Sequence, residues 1–519
     1  MIISIIVDDL GSFDMGFKNG QIQTPAFDRL RGEGYHLPRM YVQPICTPTR
    51  SSFLTSRYAL ALGLQGKQTV QQGCSWGLGL NESTFVSQFQ RQGWRTHMVG
   101  KAHLGADYWR RTPTFRGFNT FFGYLYGAED YFNHTLGGFG GAYYDFRNDT
   151  QPSCGPGCSK AIGASIRGTY STFVFGAEVA RLIAAAGASQ QPTYIHFTPQ
   201  SVHAPNQAPE SYVAPYRSIF GPSNPIRAIH AGALAVLDEA LANITSAIAA
   251  AGLLDDTLIF VSADNGGPLG PTGDGTMASN YPRRGGKHSL YEGGVQAESF
   301  VWGPKWLGTG VNRTWEGLCH TTDVGLTLME AAGLPTAPYL PTRHGVSFWG
   351  ALSSGQPRSL RQSVVVNIDY TQEGAGPQAA IVTRDGMKLI LGSGGDSSCD
   401  YWSDPVGEKT SPPPGRPPLL GHPAAAVPGR ETRFPTAAPT APSPLWPLGN
   451  MAPTLYNLTA DPRETTNLTQ QHPDLVAALL QELQTWGSMV AVPVVENPQQ
   501  DPLSNPKFFN DSWTPWLGL

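Results

Sequence analysis

The chain opens on an apolar run, Ile2-Ile3-Ser4-Ile5-Ile6-Val7, that stops at Asp8-Asp9. A short apolar run ended by two carboxylates predicts a strand buried on both faces. Three more runs, Thr96–Val99, Tyr194–Phe197 and Thr257–Val261, also give way to polar residues. These are Gly100-Lys101-Ala102-His103, a stretch reaching His203, and Ser262-Ala263-Asp264-Asn265-Gly266-Gly267. Between the runs the period lengthens to that of a helix. Ser83–Gly93 is one such stretch. Residues 226–251 are another, with Ile226, Ile229, Leu234, Leu237, Leu241, Ile244 and Ile248 on one face and Gly252 as the stop. Alternating strands and helices predict an α/β fold: a large, mostly parallel central sheet flanked by helices. Ligands of such sheets bind beyond the carboxyl ends of the strands. Asp8/Asp9, Lys101/His103, His203 and Asp264/Asn265 are therefore expected along one edge.

The pattern changes near residue 365. Val364–Val366, Ala380–Thr383 and Met387–Leu391 read as short strands, the last two joined by the turn Arg384-Asp385-Gly386. Leu475–Trp486 reads as a closing helix. We expect an N-terminal catalytic domain over 1–364 and a smaller α+β domain over 365–519, with a short antiparallel sheet. Residues 411–447 are rich in Pro, Ala and Thr and read as an exposed insertion. No internal repeat is apparent.

Composition narrows the partners. Charged residues make up 14% of the chain and the net charge is −4, with no basic run that would suit nucleic acid. No apolar run reaches the length expected of a transmembrane segment. Eight Asn-x-Ser/Thr sequons, at Asn81, Asn133, Asn148, Asn243, Asn312, Asn457, Asn467 and Asn510, favour glycosylation on the secretory route, to an extracellular, lysosomal or vacuolar destination. The first residues lack the basic start and small-residue cleavage site of a signal peptide, so the sequence reads as mature, trimmed or truncated. Of six cysteines, Cys154 and Cys158 enclose Gly155-Pro156-Gly157 and suit a local disulfide. Cys319 with Cys399 is a second pairing to test, and Cys74 is the candidate odd thiol.

The polar groups at the strand ends suggest a chemistry. Adjacent carboxylates at Asp8 and Asp9 repel unless a cation neutralises them. With Asp264 and Asn265 they form an all-oxygen set, which suits calcium or magnesium better than zinc. Lys101, Lys287, His103 and His203 offer cationic donors for an oxyanion together with an acid and a base. Each alone has an ordinary structural role: a turn carboxylate, a surface lysine, a loop histidine.

The run Cys46-Thr47-Pro48-Thr49-Arg50 resembles the signature read by the enzyme that converts cysteine to Cα-formylglycine. A hydrated aldehyde carries two hydroxyls: one can attack sulfur, and the other can re-form the carbonyl and expel sulfate. The chain resembles the sulfatase family, of the alkaline-phosphatase-like superfamily, most closely the arylsulfatase B-like group. The resemblance rests on Val7 to Gly11, Cys46 to Thr55, His97 to Gly105, Gln200 to Pro205, Ala263 to Gly267 and Gly286 to Gly294. Arg116-Gly117-Phe118, Phe122-Gly123-Tyr124, Leu455 to Leu458 and Asp461-Pro462 extend it.

The resemblance implies a sulfuric ester hydrolase acting on a sulfated sugar or aryl sulfate. It implies one calcium ion held by Asp8, Asp9, Asp264 and Asn265 with formylglycine at position 46, which a formylglycine-generating enzyme makes during maturation. Arg50 would hold the formylglycine, and Lys101, His203 and Lys287 the sulfate. His103 would be the base, and either His203 or Lys287 would assist the leaving oxygen. The alternatives are a phosphoric or phosphonic ester hydrolase of the same superfamily and a non-catalytic secreted binder of sulfated glycans. Two positions depart from the family. Thr49 replaces the usual serine, which puts the extent of conversion in question. Ala102 replaces a bulky aromatic, which is expected to loosen the packing under Lys101 and His103.

Overall fold

The computed structural model describes residues 1–66, 69–270, 275–337, 339, 343–356, 359–369, 378–395, 399–405, 409–410, 452–491 and 500–518. The Pro-rich stretch at 411–447 lies outside them. A mixed sheet of ten strands dominates the fold. Its centre is parallel, in the order β5 (Leu258–Ala263), β1 (Ile2–Val7), β4 (Thr193–Thr198), β2 (Arg95–Lys101) and β3 (Thr120–Tyr124). Antiparallel β6 (Ser299–Trp302) extends one side, and Arg147–Asp149 the other.

β1 is apolar but for Ser4, whose hydroxyl is satisfied by Tyr194 and His196, because it has neighbours on both edges and core on both faces. Ile3, Ile5 and Val7 share one core with α2 (Ser171–Ser189) and α3 (Pro225–Ala250). Ile2 and Ile6 share the other with Phe53, Phe85 and Phe89. The period of α3 is as expected: Leu234, Leu237, Leu241, Ile244 and Ile248 are buried, and Gly252 takes a left-handed conformation with φ 70°. One expectation changes. Both α2 and α3 are long and apolar enough to cross a membrane by length and composition. Their apolar residues here pack against the sheet.

A second sheet is antiparallel, in the order β7 (Ser363–Asp369), β8 (Gln378–Thr383), β9 (Met387–Leu391) and β10 (Thr454–Asn457). One face takes α4 (Pro473–Gly487) through Val476, Leu479 and Leu483. The other face, with Val364, Val366, Ile390 and Tyr456, packs on Tyr41, Leu290, Tyr291 and Val295. The second sheet thereby backs the segment that carries Lys287. Residues 500–518 return to the large sheet, where Trp513 packs on Tyr126 and Tyr143.

Cys154 and Cys158 form a disulfide. Cys319 and Cys399 do not. Cys319 lies on a strand paired with Met40, its thiol 3.5 Å from the Met40 sulfur, while Cys399 lies in a loop whose carbonyl accepts from the Gly286 N–H. None of the eight sequon asparagines is buried.

Candidate active site

Cys46 occupies the first turn of the buried helix α1 (Cys46–Thr55). The spacing of its signature follows from helix geometry. Pro48 falls in the first turn, where a missing N–H costs no intrahelical bond. Arg50, one turn on, shares a face with Cys46. Its guanidinium reaches Asp264 Oδ2 from Nε at 3.1 Å and from Nη2 at 2.8 Å, and Asp8 Oδ1 at 3.5 Å. The Thr49 hydroxyl accepts from the Gln43 N–H at 2.9 Å, and the residue is buried. Its extra methyl is thus accommodated while the hydroxyl keeps a partner.

Strand ends bring the other groups to the same place. Asp8 and Asp9 follow β1, with Asp9 at φ 59°. Lys101 ends β2 and donates to Asp8 Oδ2 at 2.7 Å. Asp264 and Asn265 follow β5; the Asp9 N–H donates to Asp264 Oδ1 at 3.1 Å, and Asn265 Nδ2 to Asp9 Oδ1 at 2.7 Å. Lys287 Nζ lies 2.8 Å from Asp9 Oδ2 and 3.2 Å from His203 Nε2. Gly266 permits the closest of these approaches: a methyl group there would sit 1.7 Å from the Gly293 carbonyl oxygen. Ligand atoms of Asp8, Asp9, Cys46 and His203 all lie within 4.8 Å of one another. The strand-end residues expected along one edge therefore converge, joined by Cys46, Arg50 and Lys287.

The charges nearly balance. Asp8, Asp9 and Asp264 face Arg50, Lys101 and Lys287. Burial alone would raise the Asp8 carboxyl, but Lys101, His203 and Arg50 outweigh it and hold it down. Burial and the Asp8 charge push Asp264 up. Burial also pushes the Cys46 thiol up, against the opposing pull of Lys101. The oxygen set fits a hard divalent cation on a structural ground: Asn265 Oδ1 is buried without a hydrogen-bond partner beside three carboxylates. Such an ion would give this balanced cluster a net positive charge, which suits an anionic ester.

His103 and His203 have different faces. His103 Nε2 lies 3.0 Å from the Val70 carbonyl, which can only accept, so Nε2 carries the proton. Its Nδ1 is buried with no partner. Burial, then Lys101 and Arg50, keep the ring far below its ordinary pKa. His203 Nδ1 lies 2.6 Å from the Ala204 carbonyl, leaving Nε2 to accept from Lys287. Burial and Lys287 lower this ring as well. The backbone holds the segment around Ala102, with Ala102 N–H donating to the Tyr124 carbonyl and His103 N–H to that of Leu125. The smaller side chain removes neither anchor.

Cys46, His103, His203 and Lys287 line a cleft of about 330 Å³ together with Thr69, Gln71, Gln72, Leu136 and His288. Sequence reasoning missed this outer wall. His288 had a signal, its place beside Lys287, but the loop of Thr69 to Gln72 had none. Thr47 was also missed: its hydroxyl donates to the His103 carbonyl at 3.1 Å and accepts from the Val70 N–H at 3.2 Å. It ties the Cys46 turn to the loop that orients His103.

A family model described as Sulfatase matches residues 1–334. Arylsulfatase J of Mus musculus is 34% identical over 535 residues, covering 99% of this chain and 80% of that protein. Arylsulfatase A of Homo sapiens is 27% identical over 427 residues, covering 78% and 77%. A crystal structure of Ps i-CgsB in complex with k-i-k-neocarrahexaose superposes with a TM-score of 0.72 at 20% identity, over 98% of this chain and 97% of that one.

Proposed function

The chain belongs to the sulfatase family and is a sulfuric ester hydrolase, and from that premise we propose that it cleaves the sulfate ester of a sulfated sugar or aryl sulfate at a formylglycine made from Cys46. The observation that carries this reading is the meeting of Cys46, His103, His203 and Lys287 in one cleft above a buried cluster of Asp8, Asp9, Asp264, Lys101 and Arg50. Asp8, Asp9, Asp264, Asn265 and position 46 would hold one calcium ion, which when bound would draw negative charge from the sulfate oxygens. Hydrated formylglycine would supply the attacking hydroxyl and a second hydroxyl whose deprotonation releases sulfate.

The chain's own groups do the rest. Lys101 and Lys287 bind and orient the sulfate through preorganised donors, and His203 adds a third when its Nε2 takes up a proton. Lys287 and His203 share one hydrogen-bond axis and deliver a proton to the leaving oxygen. His103 takes a proton at Nδ1, since Val70 occupies Nε2. Arg50 holds Asp264 and the position-46 turn in register. A sugar is favoured by the amides of Gln71 and Gln72 and by His288 on the cleft wall, which suit hydroxyl-rich ligands. A fold neighbour solved with an oligosaccharide is in keeping with that. The catalytic domain over 1–364, the smaller domain over 365–519, glycosylation at the sequons, maturation by a formylglycine-generating enzyme and a secretory destination belong to the same proposal.

Mass spectrometry of the peptide carrying residue 46 tests it. Conversion lowers the cysteine mass by about 18 Da. Purified protein should carry that loss and turn over an aryl sulfate or a sulfated oligosaccharide. Chelation should stop turnover, and calcium should restore it better than zinc. Active protein with an unmodified thiol throughout would overturn the mechanism.

A further inference from the structure

A second concavity, of about 180 Å³, shares no lining residue with the cleft. Its wall carries Arg91, Arg110 and Arg116 and one carboxylate, Glu82. Glu82 already serves two other arginines: Arg57 pairs with it, and Arg343 Nη1 lies 3.6 Å from Oε2. Arg116 is only 6% exposed. Its fork is spent on the carbonyls of Leu78, Gly79, Leu80 and Glu82, at 2.8 to 3.4 Å. Carbonyls bear partial charges, so they do not neutralise it as a carboxylate would. Its Nε is buried without a partner. Arg91 and Arg110 are exposed, and among the described residues neither makes an ion pair. Burial above all, with a smaller push from Arg111, lowers Arg116 to about 10 against the pull of Glu82. This hollow is therefore positive on a chain whose net charge is −4.

We propose that the hollow lined by Arg91, Arg110 and Arg116 is a second anion-binding site, which takes a sulfate group borne by an oligosaccharide. The forks of Arg91 and Arg110 match a tetrahedral oxyanion through several directed N–H donors, and Arg116 adds its charge and its unpaired Nε. The hollow has room for one such group with part of a sugar ring. The choice of sulfate rests on the sulfated substrate proposed above. A glycan with several sulfates would be retained here while another of its esters is cleaved, whereas an aryl sulfate with a single group would gain nothing. The site thus separates polymeric from small substrates.

The test uses full-length protein carrying Arg91→Ala with Arg110→Ala, both exposed positions outside the catalytic cleft. Binding of a fluorescent sulfated oligosaccharide, and separately of inorganic sulfate, is measured in the Cys46→Ala background. Turnover of an aryl sulfate is measured with Cys46 intact. The double variant should bind the oligosaccharide about tenfold more weakly, with a shallower salt dependence and unchanged aryl sulfate turnover. Unchanged oligosaccharide affinity would overturn the proposal. Loss confined to inorganic sulfate would also overturn it, because the hollow would then hold the free ion. The unsubstituted chain tests the reaction separately: if it turned over no sulfate ester, the catalytic reading would fall while the binding result still stood.

Discussion

His103 shows how one hydrogen bond assigns a role. With Nε2 given to Val70 and Nδ1 buried and unpaired, the ring presents a single lone pair into the cleft. His103→Ala should lower turnover on the order of a hundredfold or more, the scale of losing a positioned base. If the histidine acts after sulfate transfer, the variant should release about one equivalent of desulfated product per site and then stall. Uniform slowing with no burst would make His103 a positioning residue. Cys46→Ser poses the complementary question. One hydroxyl can accept sulfate yet cannot re-form a carbonyl, so it should also fail to sustain turnover. Repeated turnover by the serine variant would remove the need for formylglycine.

At the scale of elements, the second sheet clamps the loop that presents Lys287. Lys388 of β9 is buried between Glu292 Oε1 at 2.8 Å and Glu464 Oε1 at 3.0 Å. The Glu292 N–H donates to Glu464 Oε2 at 2.7 Å, and Tyr41 OH to Glu292 Oε2 at 2.9 Å. The N–H groups of Gly285, Gly286 and Leu290 reach the carbonyls of Tyr401, Cys399 and Gly394. Lys388→Met would strand two buried carboxylates and should cost about 3–5 kcal/mol. Glu464→Gln removes the surplus negative charge of a cluster with one lysine and two acids, and should cost clearly less. Denaturant titration of both variants decides this; an equal or larger loss for Glu464→Gln would contradict the charge account.

The same elements explain what the sequence made legible. β1, β2, β4 and β5 are apolar runs closed by polar residues, so the strand, its end and the group it delivers are read together. α1 was not legible as a helix: it has a proline in its first turn, and Thr47, Thr49, Arg50, Ser51, Ser52 and Thr55 put polar residues on every side although all are buried, so no apolar stripe marks the period. α2 went unread because its outer face carries alanines such as Ala177, Ala184 and Ala185 rather than a run of polar residues. The clamp of Glu292, Lys388 and Glu464 could not be read because its members are isolated charges, 96 and 172 residues from Glu292, that only the tertiary fold brings together.

Over the whole molecule, buried titratable groups set a pH profile for stability. Burial raises Asp145, Asp149 and Asp238 from 3.8 to about 6, and Glu464 from 4.5 to about 7. The folded state holds those protons more tightly than the unfolded chain, so each group adds stability as pH falls toward 4. Burial also lowers His97 and His344 from 6.5 to about 4, and His196 to about 3. The unfolded chain takes those protons first, so each histidine removes stability as pH falls below 6.5. Burial likewise raises Asp107, Glu129 and Asp264 and lowers His103, His134, His203 and His320, so between about pH 4 and 6.5 seven gains oppose seven losses and the net slope is small. Below pH 4 the gains are complete, while His196, with His103 and His320, still drains stability. Asp14 joins it: burial alone would raise this carboxyl, but Arg227 and His230 hold it at about 2, so its contribution is present above 3.8 and lost as pH falls through 2. The thermal midpoint should therefore form a plateau from about pH 4.5 to 6.5 and drop steeply below 4. Asp14→Asn should lower the plateau, because Arg227 and His230 lose their counter-charge, and make the acid limb shallower. A midpoint that falls steadily from pH 6.5 to 4.5 would mean that the histidines outweigh the carboxyls, and an unchanged acid limb in Asp14→Asn would remove Asp14 from the account.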